Sequence, residues 1–471
     1  MAIQGNQNIS GITFNNGTSA PITEVRIASY NAFSDTDLSG YQQGGDITFG
    51  ITNNNYYVTS GVTGINNNYT ITGTGQYFNI EDFGARPNQD STAAIQAAIN
   101  AAASGTNRRG VFIPGNWYHI TGTLTIPTVQ GFSIICAGGM SASDMPDESH
   151  AMNGCNSTLV WQGTGNGHDV PMLRSHCYGL VVQGALNLRG RRHRTHTGYA
   201  DIGLEISKGV EGLGQGKIYI PTITASYCKA GIQIGRRNDI LQSNNDNIVI
   251  GFYGCFDNLT GYNMLNGQGL NHHFAYVKVA NYITQSQIGR TTFANVVGGG
   301  NFHINGGAAI ATTTWLNFTN ARLDGVGHNN SDYTLRDIKF DNNATGTILL
   351  EMNTGLLYVP VTCRFEAIDT GPDDYYQSGY YLINAYGNTK ITLSMKKVQR
   401  NMVRLKQNSV ILNGYPNFSL HDSRVLIDAT GSNQVGWVID TGNSLGTYYW
   451  SSRNNSDDYG RPFRDTGNYA L

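Results

Sequence analysis

Phe83-Gly84-Ala85-Arg86-Pro87-Asn88-Gln89-Asp90-Ser91-Thr92-Ala93-Ala94-Ile95-Gln96-Ala97-Ala98-Ile99, followed shortly by Gly110-Val111-Phe112-Ile113-Pro114-Gly115-Asn116-Trp117-Tyr118-His119-Ile120, is the stretch on which the fold turns. Ile95, Ala98, Ile99 and Ala102 recur at i, i+3, i+4 and i+7, so a helix over 92–102 has one apolar face. Asp90-Ser91 supplies its N-cap and Gly105 its stop. Tyr77-Phe78-Asn79-Ile80 before it and Gly110-Val111-Phe112-Ile113 after it read as strands. A helix this short gains its stability by covering something apolar. The open end of a stack of strands is such a surface.

Downstream, from about 130 to 360, no amphipathic helix is legible. Short strand-like runs recur instead: Leu180–Val182, Ile202–Ile206, Ile218–Ile220, Gly231–Ile234, Ile248–Ile250, Phe274–Val277, Trp315–Phe318 and Ile348–Leu350. Gly or Asn stands at the breaks, and the spacing is mostly about 15 to 30 residues, the length of one three-strand coil of a β-solenoid. Insertions at 138–156 and 187–200 account for its irregularity. A β-sandwich is also built of short strands; the cap helix favours the solenoid.

Upstream, residues 1–75 read as a small β-rich head, with Ile47-Thr48-Phe49 and Tyr56-Tyr57-Val58-Thr59 between Asn-rich turns. The solenoid is expected over 76–365. A C-terminal β-domain over 366–471 is expected from longer alternating runs such as Lys390–Met395 and Ser423–Ile427.

The pieces at 79–126 resemble the N-terminal signature of the pectate-lyase-like superfamily of right-handed parallel β-helices, which recurs in bacteriophage tailspikes and polysaccharide depolymerases. The match covers about a tenth of the chain. Arg86-Pro87-Asn88-Gln89 is a shorter loop than usual, and Asn116 stands where glycine is customary. Asn tolerates left-handed φ, so the turn survives. The resemblance implies a homotrimer and a glycan partner, but the superfamily holds lyases, hydrolases, epimerases and non-catalytic binders, and fold does not choose among them.

Composition narrows the field. Charged residues are 13% of the chain and glycines number 59, which suits a β-protein with many tight corners, while 39% apolar content argues against disorder. A net charge of −2 gives no footprint for nucleic acid. The start, Met1-Ala2-Ile3-Gln4-Gly5, has no basic or apolar leader, and no run approaches the ~18 apolar residues of a membrane span. A polysaccharide-directed protein without an export signal is expected in a virion, attached to phage tail or adaptor proteins through the head. Cys136, Cys155, Cys177, Cys228, Cys255 and Cys363 show no metal-like spacing and read as thiols.

For chemistry, a glycoside hydrolase needs two carboxylates about 5 to 9.5 Å apart, within one or two coils of each other. Asp246, Asp257, Asp324 and Glu351 are the candidates, each of which can equally cap a turn. Tyr253, Tyr276 and Trp315, with Tyr262, Tyr282 and Tyr333, could line a sugar groove. Arg191 and Arg192 lie in the dense basic run Leu188–His196 and could meet an anionic polymer. His272 and His273 should point to opposite faces of a strand, a poor chelate, and no metal or cofactor is assigned. The expected partner is a host surface polysaccharide, capsule or lipopolysaccharide, with no membrane insertion.

Overall fold

The computed structural model describes residues 13–14, 47–48, 77–104, 110–138, 156–165, 169–191, 199–207, 216–236, 243–265, 267–280, 291–296, 300–310, 313–318, 331–340, 348–352, 361–369, 383–386, 389–397, 403–406, 410–416, 427–428 and 435–439. Contacts divide the chain into two units. In the first, Met1–Tyr77 with Gly105–Arg109, the described strands Thr13–Phe14 and Ile47–Thr48 pair antiparallel. The Tyr56–Thr59 run lies outside the described residues.

The second unit, Phe78–Ser104 with Gly110–Leu471, is a parallel β-helix. Its strands form sheets of 18 and 11 strands among the described residues. In the larger sheet Ile218, Ile248, His272, Phe302, Tyr333, Cys363 and Ile391 stack in register, each step parallel. In the smaller sheet the same holds for Leu124, Leu173, Leu204, Ile232, Tyr262, Ala294, Leu316, Leu350 and Ile383. Each circuit therefore climbs one rung, about 4.8 Å, with the right-handed connection that parallel crossovers take. No described pairing of this unit is antiparallel, which removes the β-sandwich.

Alternation puts aliphatic and aromatic side chains inside. Left-handed residues then turn the corners. Gly131 (φ 74°), Gly179 (φ 84°), Lys217 (φ 58°), Asn247 (φ 58°) and Asn271 (φ 60°) form one such line. The non-glycine members bear the left-handed cost that stacking on both sides repays.

The helix spans Thr92–Ala103 and buries Ile95, Ala98, Ile99 and Ala102 over the strands Gly110–Ile113 and Leu124–Ile126. Ser91 makes no capping bond with its side chain; the Asp90 carboxylate accepts from the Thr92 amide at 3.1 Å instead. The Gln96 amide donates to the Thr125 carbonyl at 2.9 Å and accepts from the Thr125 amide at 2.7 Å, completing the first rung as a strand would. Gly105 is outside the described residues.

At the other end the ladder does not stop at 365. That boundary falls inside the strand Val361–Asp369, which pairs parallel with Thr389–Lys397, then Val410–Pro416, then Val435–Ile439. The expected insertion at 187–200 is likewise shorter, because Ala185–Arg189 is a strand. Cys136, Cys177, Cys228, Cys255 and Cys363 are buried free thiols, and burial pushes Cys136 and Cys255 up to about 12. Cys155 lies outside the described residues.

Candidate functional site

With the coil interior filled, ligand contact belongs to side chains that alternate outward. On the larger sheet one outward column runs Tyr219, Val249, His273, His303, Thr334, Arg364. Across the corner beside it runs Thr222, Phe252, Tyr276. Apolar groups in both columns face solvent, with Tyr219 at 50% exposure, Val249 at 38% and Tyr276 at 39%. Phe252 and Tyr276 stack with ring centroids 5.8 Å apart and planes 11° from parallel. His273 and His303 stack at 5.1 Å and 23°. Rung spacing imposes both stacks, since planar side chains at one register on adjacent strands meet face to face. The result is a flat aromatic and imidazole edge.

Charge around the edge is sparse. Lys278 follows Tyr276 on the same outward parity, its ammonium 6.0 Å above the Phe256 ring. Lys217 lies 5.7 Å over Tyr178. Arg364 is paired with Asp332, and Arg336 with Glu366. Burial lowers His303, an effect that the charges of His273 and Arg364 deepen and Asp332 opposes. Asp246 precedes the edge at the left-handed corner, where its carbonyl accepts from the Lys217 amide at 2.8 Å. Burial raises its carboxyl above the ordinary range, and its Oδ1 is enclosed with no hydrogen-bond partner among the described residues.

Of the residues singled out in the sequence, Asp246 and Tyr276 thus belong to neighbouring strands at this edge. Tyr253 and Trp315 do not: both are fully buried inside the coil, as are Tyr262 and Tyr333. The Tyr253 hydroxyl donates to the Gly261 carbonyl at 2.6 Å, and Trp315 packs on Phe293 at 5.5 Å. These side chains cannot touch a sugar outside the coil. His272 and His273 do face opposite ways, the first buried and sharing a 2.7 Å hydrogen bond with Tyr262.

Asp257 and Arg191 lie elsewhere, each near enough to Tyr199 to act on its phenol. Asp257 is fully buried with φ 50°, its amide bonded to the Ala280 carbonyl at 2.9 Å. The Arg191 guanidinium lies 4.3 Å over Tyr227 and 5.1 Å over Tyr199, and Arg189 sits 5.0 Å over Tyr227. Burial raises the Tyr199 phenol, the Arg191 charge opposes that and Asp257 adds to it, so both act on one ring. Arg191 is 4% exposed, so it is a packed cation rather than a solvated one. Asp324, Arg192 and Tyr282 lie outside the described residues.

Asp324 being outside the described residues, only Asp246, Asp257 and Glu351 can be compared, and these three do not pair with one another. Asp246 and Asp257 stand at opposite ends of one bent strand, about 35 Å of extended chain at ~3.3 Å per residue. Glu351 is three rungs above the strand that follows Asp257, about 14 Å along the axis.

Glu351 instead belongs to an outward polar column on the smaller sheet: Arg174, Glu205, Gln233, Asn263, Asn295, Asn317, Glu351. Its amides form a ladder, with Asn317 donating to Asn295 at 3.2 Å, Asn295 to Asn263 at 3.0 Å and Asn263 to Gln233 at 2.9 Å. Below it Glu205 accepts from Arg174 at 2.7 Å, Arg236 at 3.0 Å and Ser207 at 2.6 Å. The Ser207 carbonyl faces His176 Nδ1 at 2.9 Å, so that nitrogen carries the proton and Nε2 accepts from Arg236 at 3.1 Å. Sequence reading missed this cluster. Its signal was Arg174, Glu205 and Arg236 recurring at an interval of 31 residues, one circuit of the coil.

No family model and no curated protein matches this chain. Solved structures to which it is similar include a DFA-IIIase from Arthrobacter chlorophenolicus A6 in complex with GF2, at 12% identity over 78% of this chain and 94% of that one, TM-score 0.46. The catalytic unit of a thermostable GH87 alpha-1,3-glucanase from Streptomyces thermodiastaticus strain HF3-3 matches at 15% identity over 83% and 69%, TM-score 0.37. ORF18 of Geobacillus virus E2 matches at 12% over 77% and 61%, TM-score 0.36.

Proposed function

We propose that this chain is a bacteriophage tailspike that grips, and cleaves, a polysaccharide of the host surface. The aromatic edge of exposed Tyr219 and Tyr276 with half-buried Phe252 carries this reading. Aromatic faces pack against the C–H faces of sugar rings while a tyrosine hydroxyl bonds their hydroxyls. An edge repeating every ~4.8 Å offers the same contact to successive units of a polymer, where a closed pocket would suit a single sugar.

In this reading Asp246 is the general acid. Partial burial raises its carboxyl, the direction that a general acid of glycoside hydrolysis requires. The segment 1–75 attaches the protein to the tail, residues 366–471 assist assembly, and the spike is a homotrimer in the virion. Purified protein incubated with host capsule or lipopolysaccharide should stay bound to the polymer and release new reducing ends, and Asp246→Asn should bind without releasing them. Release at the full rate by Asp246→Asn moves the acid elsewhere, with Asp324→Asn the next variant. A polymer left intact yet retaining the protein removes cleavage, and no retention by any host glycan overturns the whole reading.

A further inference from the structure

His273 and His303 stack at 5.1 Å on this edge, in the same column as Tyr219. Around it, from every packed strand, the charged groups are few. Asp332 and Arg364 neutralise one another, as do Arg336 and Glu366. Lys217 and Lys278 rest over aromatic rings rather than against carboxylates. Of the other described acids on this sheet, Asp246 has its Oδ1 enclosed, and Asp337 and Asp369 lie toward the next corner, Asp369 in register with Lys339. The edge therefore sets an imidazole pair and two lysines beside an aromatic platform, groups that can meet an anionic polymer.

We propose, building on the polysaccharide-binding reading, that the His273–His303 pair couples binding of an anionic polysaccharide to proton uptake. Stacked imidazoles repel once both are charged, and the partial burial that lowers His303 disfavours its charged form as well. A polymer carboxylate lying across the pair supplies the missing counter-charge. Each imidazole then takes a proton from solvent at its unprotonated ring nitrogen, at most two per bound segment, and no covalent bond changes. The polymer binds the charged pair more tightly than the neutral pair, so affinity rises on acidification.

The test uses the full chain with polygalacturonate and hyaluronan as anionic probes and dextran as a neutral one, at about pH 7.5 and about pH 5.5. Affinity for the anionic probes should rise about tenfold at the lower pH. Calorimetry in buffers of different ionisation enthalpy should register net proton uptake. His273→Gln/His303→Gln should lose both the acid gain and the uptake. Zero uptake, an unchanged acid gain in the double variant, equal affinity for dextran, or no binding of either anionic probe would each overturn the inference. Failure of the wider reading is a separate result, the absence of retention on host capsule or lipopolysaccharide at any pH.

Discussion

Tyr253 and Tyr276 occupy adjacent strands, yet one is sealed in the core and the other meets solvent. Strand parity separates them. For Tyr276→Ala the account predicts roughly tenfold weaker glycan binding, about 1.4 kcal/mol, with an unchanged melting temperature, because exposed substitutions seldom move stability by more than ~0.5 kcal/mol. Tyr253→Phe should behave oppositely. Removing the hydroxyl that serves the Gly261 carbonyl should cost about 1 kcal/mol in a denaturant titration and leave glycan affinity as it was.

Among the elements, the outer face of the smaller sheet is held by side chains as well as backbone. Asn295→Leu breaks two rungs of the amide ladder at once and should cost about 1–2 kcal/mol of unfolding free energy. Gln96→Ala should cost a similar amount, since both bonds to Thr125 vanish and the end of the coil loses its cover. The strands and the helix with its buried face were legible in the sequence, because runs such as Ile202–Ile206 and the spacing of Ile95 and Ile99 follow directly from burial. Which side chains face outward was not. A left-handed residue such as Asn247 or Asp257 resets the phase of alternation, and at the bend of the smaller sheet consecutive residues, Phe293 and Ala294 or Trp315 and Leu316, are all buried. A period of two therefore misplaces Trp315. Tyr276 was legible as a surface candidate, but its partner Phe252 was not, because their contact depends on register between strands.

For the whole molecule, two groups far from the aromatic edge set the acid limit. Burial lowers His176, with the charges of Arg236 and Arg174 adding to it against the hydrogen bond His176 donates to the Ser207 carbonyl and the charge of Glu205. The folded chain thus binds a proton there less readily than the unfolded chain, and this stability is lost as pH falls through the ordinary histidine value of about 6.5. Burial also pushes Glu205 up, but its bonds from Arg174, Ser207 and Arg236 outweigh that and hold the carboxylate below its usual value. Its contribution is present above about pH 4.5 and disappears below it. Melting temperature should accordingly fall in two steps on acidification, and His176→Gln should reduce the first, to which the lowered His303 also contributes, while leaving the second.

The proposed function puts a polymer along the outside of stacked coils rather than within a cleft. A structure of the chain bound to an oligosaccharide released from the host glycan is the direct measurement. The account predicts sugar rings stacked on Tyr276 and Tyr219, with polar groups reaching His273 and His303. Sugar seated instead on the amide ladder of Asn263, Asn295 and Asn317, with the aromatic edge empty, would contradict it.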